Sequence, residues 1–313
     1  MIKRILFFTV FIFSTFTFAQ KIRIAKIDST SNWEKKNKVG LDFTQITFIN
    51  WSAGGNNSIS GLAKGNFIRN YTRDNMKWNN ELIVRYGINK QESQDVRKTD
   101  DQININSTLG YRRDTVSNWY YGGKFNFLTQ FANGYSYPNV NKAISKPFAP
   151  AYIFLGVGAE YTRKDLGFTL YLSPLTNKTT LVLDRRLSNE GAFGVDKAIY
   201  DTNGNILQNG KRHRTELGAL VTSQYKTKIM TNINLDTRIA LYSDYLKDFG
   251  NVDVNWQMTL DMTINKYVKA NLGTNLIYDN DIKNKREVNG AQITEGARIQ
   301  WKQLIGVGLE YTF

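Results

Sequence analysis

The sequence predicts an all-β chain folded as a closed antiparallel barrel of about twelve strands that crosses a membrane with those strands. Three observations carry that expectation. From Val39 onward apolar residues recur with a period of two rather than 3.6. The alternating runs reach roughly 11–16 residues, enough to cross a bilayer and well beyond the ~5–6 of an ordinary soluble strand. The last run places Ile305, Val307, Leu309, Tyr311 and Phe313 on one face and finishes on an aromatic ring.

Ahead of the alternation, Lys3 and Arg4 precede an apolar run over 5–18 and the small residue Ala19. That order predicts a cleaved signal peptide over 1–19, because the run is shorter than the ~20 residues a spanning helix needs. The following segment, 20–38, carries Lys21, Arg23, Lys26, Lys35, Lys36 and Lys38 and is expected to be a basic periplasmic tail, which leaves 39–313 for the barrel. A mean hydropathy of −0.42 and the absence of cysteine exclude a helical membrane protein and a disulfide scaffold.

The expected strands follow in order. Alternation over 39–49 and 58–72 gives the first two. In 75–89, Met76, Trp78, Leu82, Val84, Tyr86 and Ile88 share one face, and Lys77, Asn79, Glu81, Arg85 and Asn89 the other. One face suits lipid and the other water. In 101–113, Ile103, Ile105, Leu109 and Tyr111 oppose Asn104, Asn106 and Thr108; in 117–131, Trp119, Tyr121, Phe125, Phe127 and Phe131 oppose Lys124, Asn126 and Gln130. Strands over 151–163 and 165–183 follow, the latter interrupted by Pro174, which predicts a bulge or an early exit from pairing and leaves ten or fourteen strands open. The second half adds 212–227, 229–245, 252–265, 267–279 and 297–313. Short turns at Arg73-Asp74, 114–116, Lys164, Lys228 and Lys266 alternate with longer loops at 50–57, 90–100, 132–150, 184–211, 246–251 and 280–296. That asymmetry is expected of short periplasmic turns and long external loops.

Five stretches resemble a family of Bacteroidota outer-membrane barrels that carries only a domain-of-unknown-function label. They are Phe48-Ile49-Asn50-Trp51-Ser52-Ala53-Gly54-Gly55-Asn56, Arg97-Lys98-Thr99-Asp100-Asp101, Phe148-Ala149-Pro150-Ala151-Tyr152, Gly191-Ala192-Phe193-Gly194-Val195-Asp196 and Val252-Asp253-Val254-Asn255-Trp256. The resemblance implies a barrel in the outer membrane of a Gram-negative bacterium and supplies no activity. Trp51, Gly54, Gly55, Asp100 and Asp101 are the loop-motif candidates, with a tight glycine turn as the simpler account of the first three. The terminal strand looks like the insertion signal of outer-membrane barrels, with Leu309, Tyr311 and Phe313 as the residues that barrel-insertion machinery would read.

The inward faces hold the residues of interest. Glu81, Arg85, Lys124, Glu160, Glu216, Asp236 and Arg238 are expected to point into the lumen. So are Asp253, Asp261, Lys269, Arg298, Lys302 and Glu310. A lining of both signs either hydrates a narrow pore for small polar solutes or cross-links into a salt-bridged plug. The pore leads, with a structural or partner-binding component of an envelope complex as the alternative. A lipid hydrolase would have to use His213, the one histidine, which sits among Lys211, Arg212 and Arg214 without a nucleophile elbow, so the expectation is a protein that is not an enzyme. Asp201-Thr202-Asn203-Gly204-Asn205 has the alternating oxygens of a calcium loop but lacks the later glutamate. No metal or cofactor is expected. The net charge of +14 is spread without a nucleic-acid-binding motif, so lipopolysaccharide, outer-membrane lipid and other envelope proteins are the expected partners.

Overall fold

A computed structural model describes residues 31–47, 56–247, 249–288 and 291–313. The expected signal peptide, the first part of the basic segment, and Trp51, Gly54 and Gly55 lie outside the described residues.

Twelve antiparallel strands close into one barrel, each paired with its chain neighbours and the last with the first. They are β1 (Trp33–Ile46), β2 (Ser58–Arg73), β3 (Met76–Gln91), β4 (Arg97–Tyr111), β5 (Trp119–Thr129) and β6 (Ala151–Arg163). Then come β7 (Phe168–Leu181), β8 (His213–Met230), β9 (Ile233–Asp244), β10 (Asp253–Thr263), β11 (Val268–Tyr278) and β12 (Gln300–Thr312). Closure is made by β1 against β12, with Leu41 opposite Leu309 and Phe43 opposite Val307.

The burial pattern is inverted relative to a soluble protein. Lys77, Asp100, Glu160, Lys178 and Glu216 are buried, whereas Leu155, Val157, Ile305 and Leu309 are each more than half exposed on the outer face. Each such outward aliphatic forgoes roughly 1.5–3 kcal/mol in water. The barrel wall therefore requires an apolar solvent around it. Aromatic rings gather toward the short-turn end: Trp33 packs on Tyr71 and Trp78, Trp119 on Tyr161, and Tyr311 on Phe313, where amphipathic rings sit at a lipid interface.

Every expected strand is present, two strand starts move, and the turn expected at Lys228 falls at Thr231-Asn232, because β8 stays paired as far as Met230 opposite Ile233. β1 begins at Trp33, not 39, so 33–38 belong to the wall rather than to a tail, with Trp33 paired to Tyr71 and Lys36 to Ile68. β4 begins at Arg97, which takes Asp100 and Asp101 out of a loop and into a strand; the register against β3 shifts between Gly87 and Ile88, a bulge that absorbs Thr99. Pro174 makes a bulge, not an exit. The register of β7 slips against β6 between Val157 and Ala159 and against β8 between Gly218 and Leu220, and pairing resumes on both sides. Gly158 permits that crowding, since a Cβ there would lie 2.0 Å from the Leu172 carbonyl oxygen; on the other side of β8, a Cβ on Gly218 would lie 2.0 Å from the Ser243 carbonyl oxygen of β9.

Three of the long loops fold further. Residues 134–145 form a short hairpin, as do 283–297. The 182–212 segment carries one helical turn, Arg185–Asn189, capped by the Asp184 carboxylate accepting from the Leu187 N–H at 3.0 Å. Leu187, Val195 and Val182 of this segment pack on Ala149 of the preceding loop in an apolar cluster, with Phe193 against it. Lys146 to Asp184 at 2.6 Å and Lys142 to Glu190 at 2.8 Å tie the same two loops together.

Candidate functional site

The inward faces of the strands form the site. Because the twelve strands run in simple order around the ring, β3 and β9 stand diametrically opposite. Near the middle of each, Arg238 donates to Glu81 through Nη1 to Oε2 at 2.7 Å and Nη2 to Oε1 at 3.1 Å. This two-pronged pair crosses the lumen. Asp236 receives the remaining guanidinium donors, Nε at 3.2 Å and Nη2 at 3.0 Å, while Asn66 and Gln224 donate to Glu81 and Asp236 respectively, both at 2.9 Å. A planar fork facing two carboxylates is the geometry in which charge-assisted hydrogen bonds are strongest.

Further bridges lie toward both ends. At the short-turn side, Lys77 of β3 donates to Glu160 of β6 at 2.6 Å and to Thr162 at 2.8 Å, with its ammonium 3.6 Å from the centre of the Tyr120 ring. At the long-loop side, Lys302 of β12 reaches Asp100 of β4 at 2.5 Å, and Arg85 makes a 2.6 Å charge contact with the other Asp100 oxygen. Lys178 of β7 donates to Asp253 of β10 at 2.7 Å and lies 3.7 Å from Glu216 and 3.6 Å from Asp279. Arg214 bonds Asp281 at 2.7 Å and Glu216 at 3.0 Å. Phe154 of β6 meets Tyr242 of β9 edge to face, with ring centres 5.9 Å apart.

Between these bridges lies a cavity of about 570 Å³, into which the 182–212 segment places Phe193. A second space of about 300 Å³ adjoins Asp100, Lys302 and Gln257. Phe193 adopts a left-handed backbone (φ 57°), and the neighbouring Gly194 carbonyl accepts from Arg214 at 3.4 Å. The long loop thus reaches down to the charged ring at the mouth.

Of the expected lumen residues, Glu81, Asp236 and Arg238 come together as one group, Arg85 and Lys302 share Asp100, and Glu216 and Asp253 share Lys178. Glu310 pairs with Lys38 at 3.5 Å. Lys124 donates to Thr222 across the lumen at 2.7 Å, and Lys269 to Thr263 at 2.9 Å. Asp261 lies on the inward parity of β10, opposite Asn271 of β11. Arg298 is a correction: it precedes β12, is exposed, and bonds Glu295 beside the terminal hairpin rather than facing the lumen. Asp100 and Asp101 are likewise not loop residues. Asp101 accepts from the backbone N–H groups of Phe131 and Ala132 at 3.0 and 2.8 Å, pinning the start of the next long loop.

Lys178 and Arg214 escaped the sequence reading. Lys178 sits in Thr176-Asn177-Lys178-Thr179-Thr180, polar on both faces, so alternation gives no sign of which residue turns inward. Period-two counting back from Tyr171 through a one-residue bulge at Pro174 would have found it. His213 is exposed at the start of β8. Asp201 spends its oxygens on its own turn, accepting from the Asn203 and Asn205 N–H groups at 2.9 and 2.7 Å and from the Asn205 amide at 2.9 Å.

A family model described as "Protein of unknown function (DUF3078)" matches residues 43–135. No curated protein matches the chain significantly. Among solved structures, the chain is similar to the translocator domain of the autotransporter NalP from Neisseria meningitidis, at 11% identity and a TM-score of 0.34, covering 90% of this chain and 87% of that one. It is similar to an outer membrane channel from Pseudomonas putida F1 at 8% identity and a TM-score of 0.39, covering 90% and 96%. Likeness at this level carries no functional information, and the site has to be judged on its own chemistry.

Proposed function

We propose that this chain is an outer-membrane barrel of a Gram-negative bacterium, exported with a cleaved signal peptide and related to the uncharacterised Bacteroidota barrels, and that it serves without catalysis as a narrow conduit for small polar solutes. In this conformation ion pairs bridge it from wall to wall. The observation that carries the reading is the Arg238 to Glu81 pair, which joins opposite walls at mid-height of a lumen where charged, amide and hydroxyl side chains stand among apolar ones such as Phe154 and Leu220. A lumen built only to be filled would be served better by apolar side chains, since replacing buried ion pairs with apolar residues is often neutral or stabilising by ~1–4 kcal/mol. Water-compatible walls around a cavity point to passage or binding. The 182–212 segment, which reaches the mouth and is tied to the neighbouring loop by two ion pairs, is the part that would have to move for solute to pass.

The test is single-channel conductance of the folded protein in planar bilayers, for the wild type, for Glu81→Gln and for a deletion of 184–211. The conduit reading expects current to rise in one or both variants. Background current in all three would leave the second reading, a rigid structural barrel docked to envelope partners, which the same cross-lumen pair favours through its stiffness. The outward apolar wall would contact outer-membrane lipid and lipopolysaccharide in either case.

A further inference from the structure

Most of the described lumen cations lie within 4 Å of a carboxylate oxygen, but two donate to a threonine hydroxyl instead: Lys269, to Thr263 at the short-turn end, and Lys124, at mid-strand. Lys77, Lys178, Arg214, Arg238 and Lys302 each lie within 4 Å of at least one carboxylate oxygen. Lys124, in the middle of β5, instead donates to the Thr222 hydroxyl at 2.7 Å and faces the Tyr171 ring, 5.3 Å from its centre. No carboxylate of a described residue makes an ion pair with it. A partly enclosed ammonium with one hydroxyl as its hydrogen-bond partner has spare donors.

Its neighbours add further donors. Two residues along the same strand, Asn126 sends its amide hydrogens to the side-chain oxygens of Asn104 at 2.7 Å and Asn106 at 2.8 Å on β4. That orientation uses the acceptors of Asn104 and Asn106 and leaves their NH₂ groups on the wall of the 570 Å³ cavity, which Lys124 also lines. The two carboxylates on that wall nearest in the network, Glu81 and Glu160, are already neutralised by Arg238 and Lys77. Phe154 and Tyr152 give the same cavity apolar faces.

We infer that this cavity is a binding site for a small organic monocarboxylate. The anion's oxygens would accept from the Lys124 ammonium and the Asn106 and Asn104 amides, and its short apolar part would lie toward Phe154. The wall already carries four carboxylates, Glu81, Glu160, Asp253 and Asp279, against Lys124, Lys178, Lys226 and Arg238, so a dianion would meet more repulsion there than a monoanion. As the solute class of the conduit, the assignment rests on the transport reading; as a binding site, it does not.

The test is calorimetric titration of the folded, full-length barrel in detergent micelles with butyrate and with butyramide, its neutral counterpart. The wild type should bind butyrate at least tenfold more tightly than butyramide, a comparison that needs no variant to fold. Lys124→Met should lose at least tenfold in butyrate affinity and Asn106→Ala a smaller factor, while Lys269→Met, at the short-turn end, should match the wild type. Equal affinity for butyrate and butyramide, or an unchanged Lys124→Met, overturns the assignment. Intact butyrate binding with silent bilayers would remove the conduit and keep the site; conductance with charge-blind binding would do the reverse.

Discussion

Replacing Lys77 with methionine tests whether the inward charges hold the barrel together. The ammonium is 2.6 Å from Glu160, 2.8 Å from the Thr162 hydroxyl and 3.6 Å from the centre of the Tyr120 ring, and both charged side chains are less than one-tenth exposed. Methionine keeps the unbranched stem and removes the charge. Glu160 is then left with the Thr162 hydroxyl at 3.1 Å as its hydrogen-bond donor. Stranding one member of a buried pair costs about 3–5 kcal/mol, and loss of the contact with Tyr120 adds to that cost. The added apolar contact of the thioether offsets a part, so the net is about 3 kcal/mol, or roughly a hundredfold in the folding equilibrium. The assay is reversible guanidinium unfolding in lipid vesicles, followed by tryptophan fluorescence. In Lys77→Met/Glu160→Gln, a neutral carboxamide can bond Thr162, and the cost should fall to about 1 kcal/mol. The reasoning fails if Lys77→Met costs less than about 1 kcal/mol, or if the double variant is as unstable as the sum of the single ones.

Three further outcomes are expected. Gly218→Ala places a Cβ 2.0 Å from the Ser243 carbonyl oxygen, a backbone clash that no side-chain rotation relieves, and should cost at least the ~1–3 kcal/mol of an overpacked core; a wild-type yield and stability on refolding into micelles would refute it. Burial works against ionisation of Asp184, but the Lys146 hydrogen bond, the Leu187 N–H and the charges of Lys146 and Arg186 outweigh it and hold its pKa below the ordinary carboxylate value. A depressed folded pKa means stabilisation that is complete above the unfolded pKa of about 3.9 and is lost as pH falls through the folded value. Protease cleavage within 184–211 should therefore rise below about pH 4, and Asp184→Asn should be cleaved faster at neutral pH with a weaker acid response; a wild-type loop equally resistant at pH 3 and pH 7 would count against this. Deleting Phe313, whose backbone exchanges both hydrogen bonds with Asn37 at 3.0 Å, should slow assisted insertion into vesicles without changing the unfolded chain's solubility; unchanged insertion would refute its role as a signal.

The alternation was readable because lipid outside and water inside impose opposite demands on adjacent residues, as in Met76, Lys77 and Trp78. It faded where the wall leaves the lipid. In Glu34-Lys35-Lys36-Asn37-Lys38 both faces are polar, so the start of β1 resembled a tail, and Arg97-Lys98-Thr99-Asp100-Asp101 resembled a loop for the same reason. Inward parity is a local signal, enough to assign Glu81 and Arg238 each to the polar face of its strand. Their partnership was a different matter, because it depends on how many strands separate them around the ring, a global count rather than a local pattern.

That count turns on Pro174. With twelve strands, β3 faces β9, and Glu81 meets Arg238 across 157 residues of chain. With ten strands the wall opposite β3 would be the eighth, and with fourteen the tenth, each carrying different inward residues. The slip at Pro174 keeps β7 paired on both sides, so β7 remains one strand and the ring closes at twelve. Gly158, which admits the bulge, therefore acts on the lumen at a distance by fixing which walls stand opposite. A substitution that expelled the segment around Pro174 from the sheet would leave Arg238 and Glu81 facing new neighbours, with no change to either residue. The same logic separates what Lys124 shares with its surroundings from what it lacks. Thr222 is three strands away and was reachable only once the ring was closed, while the missing carboxylate became visible only after most of the other lumen cations had found theirs.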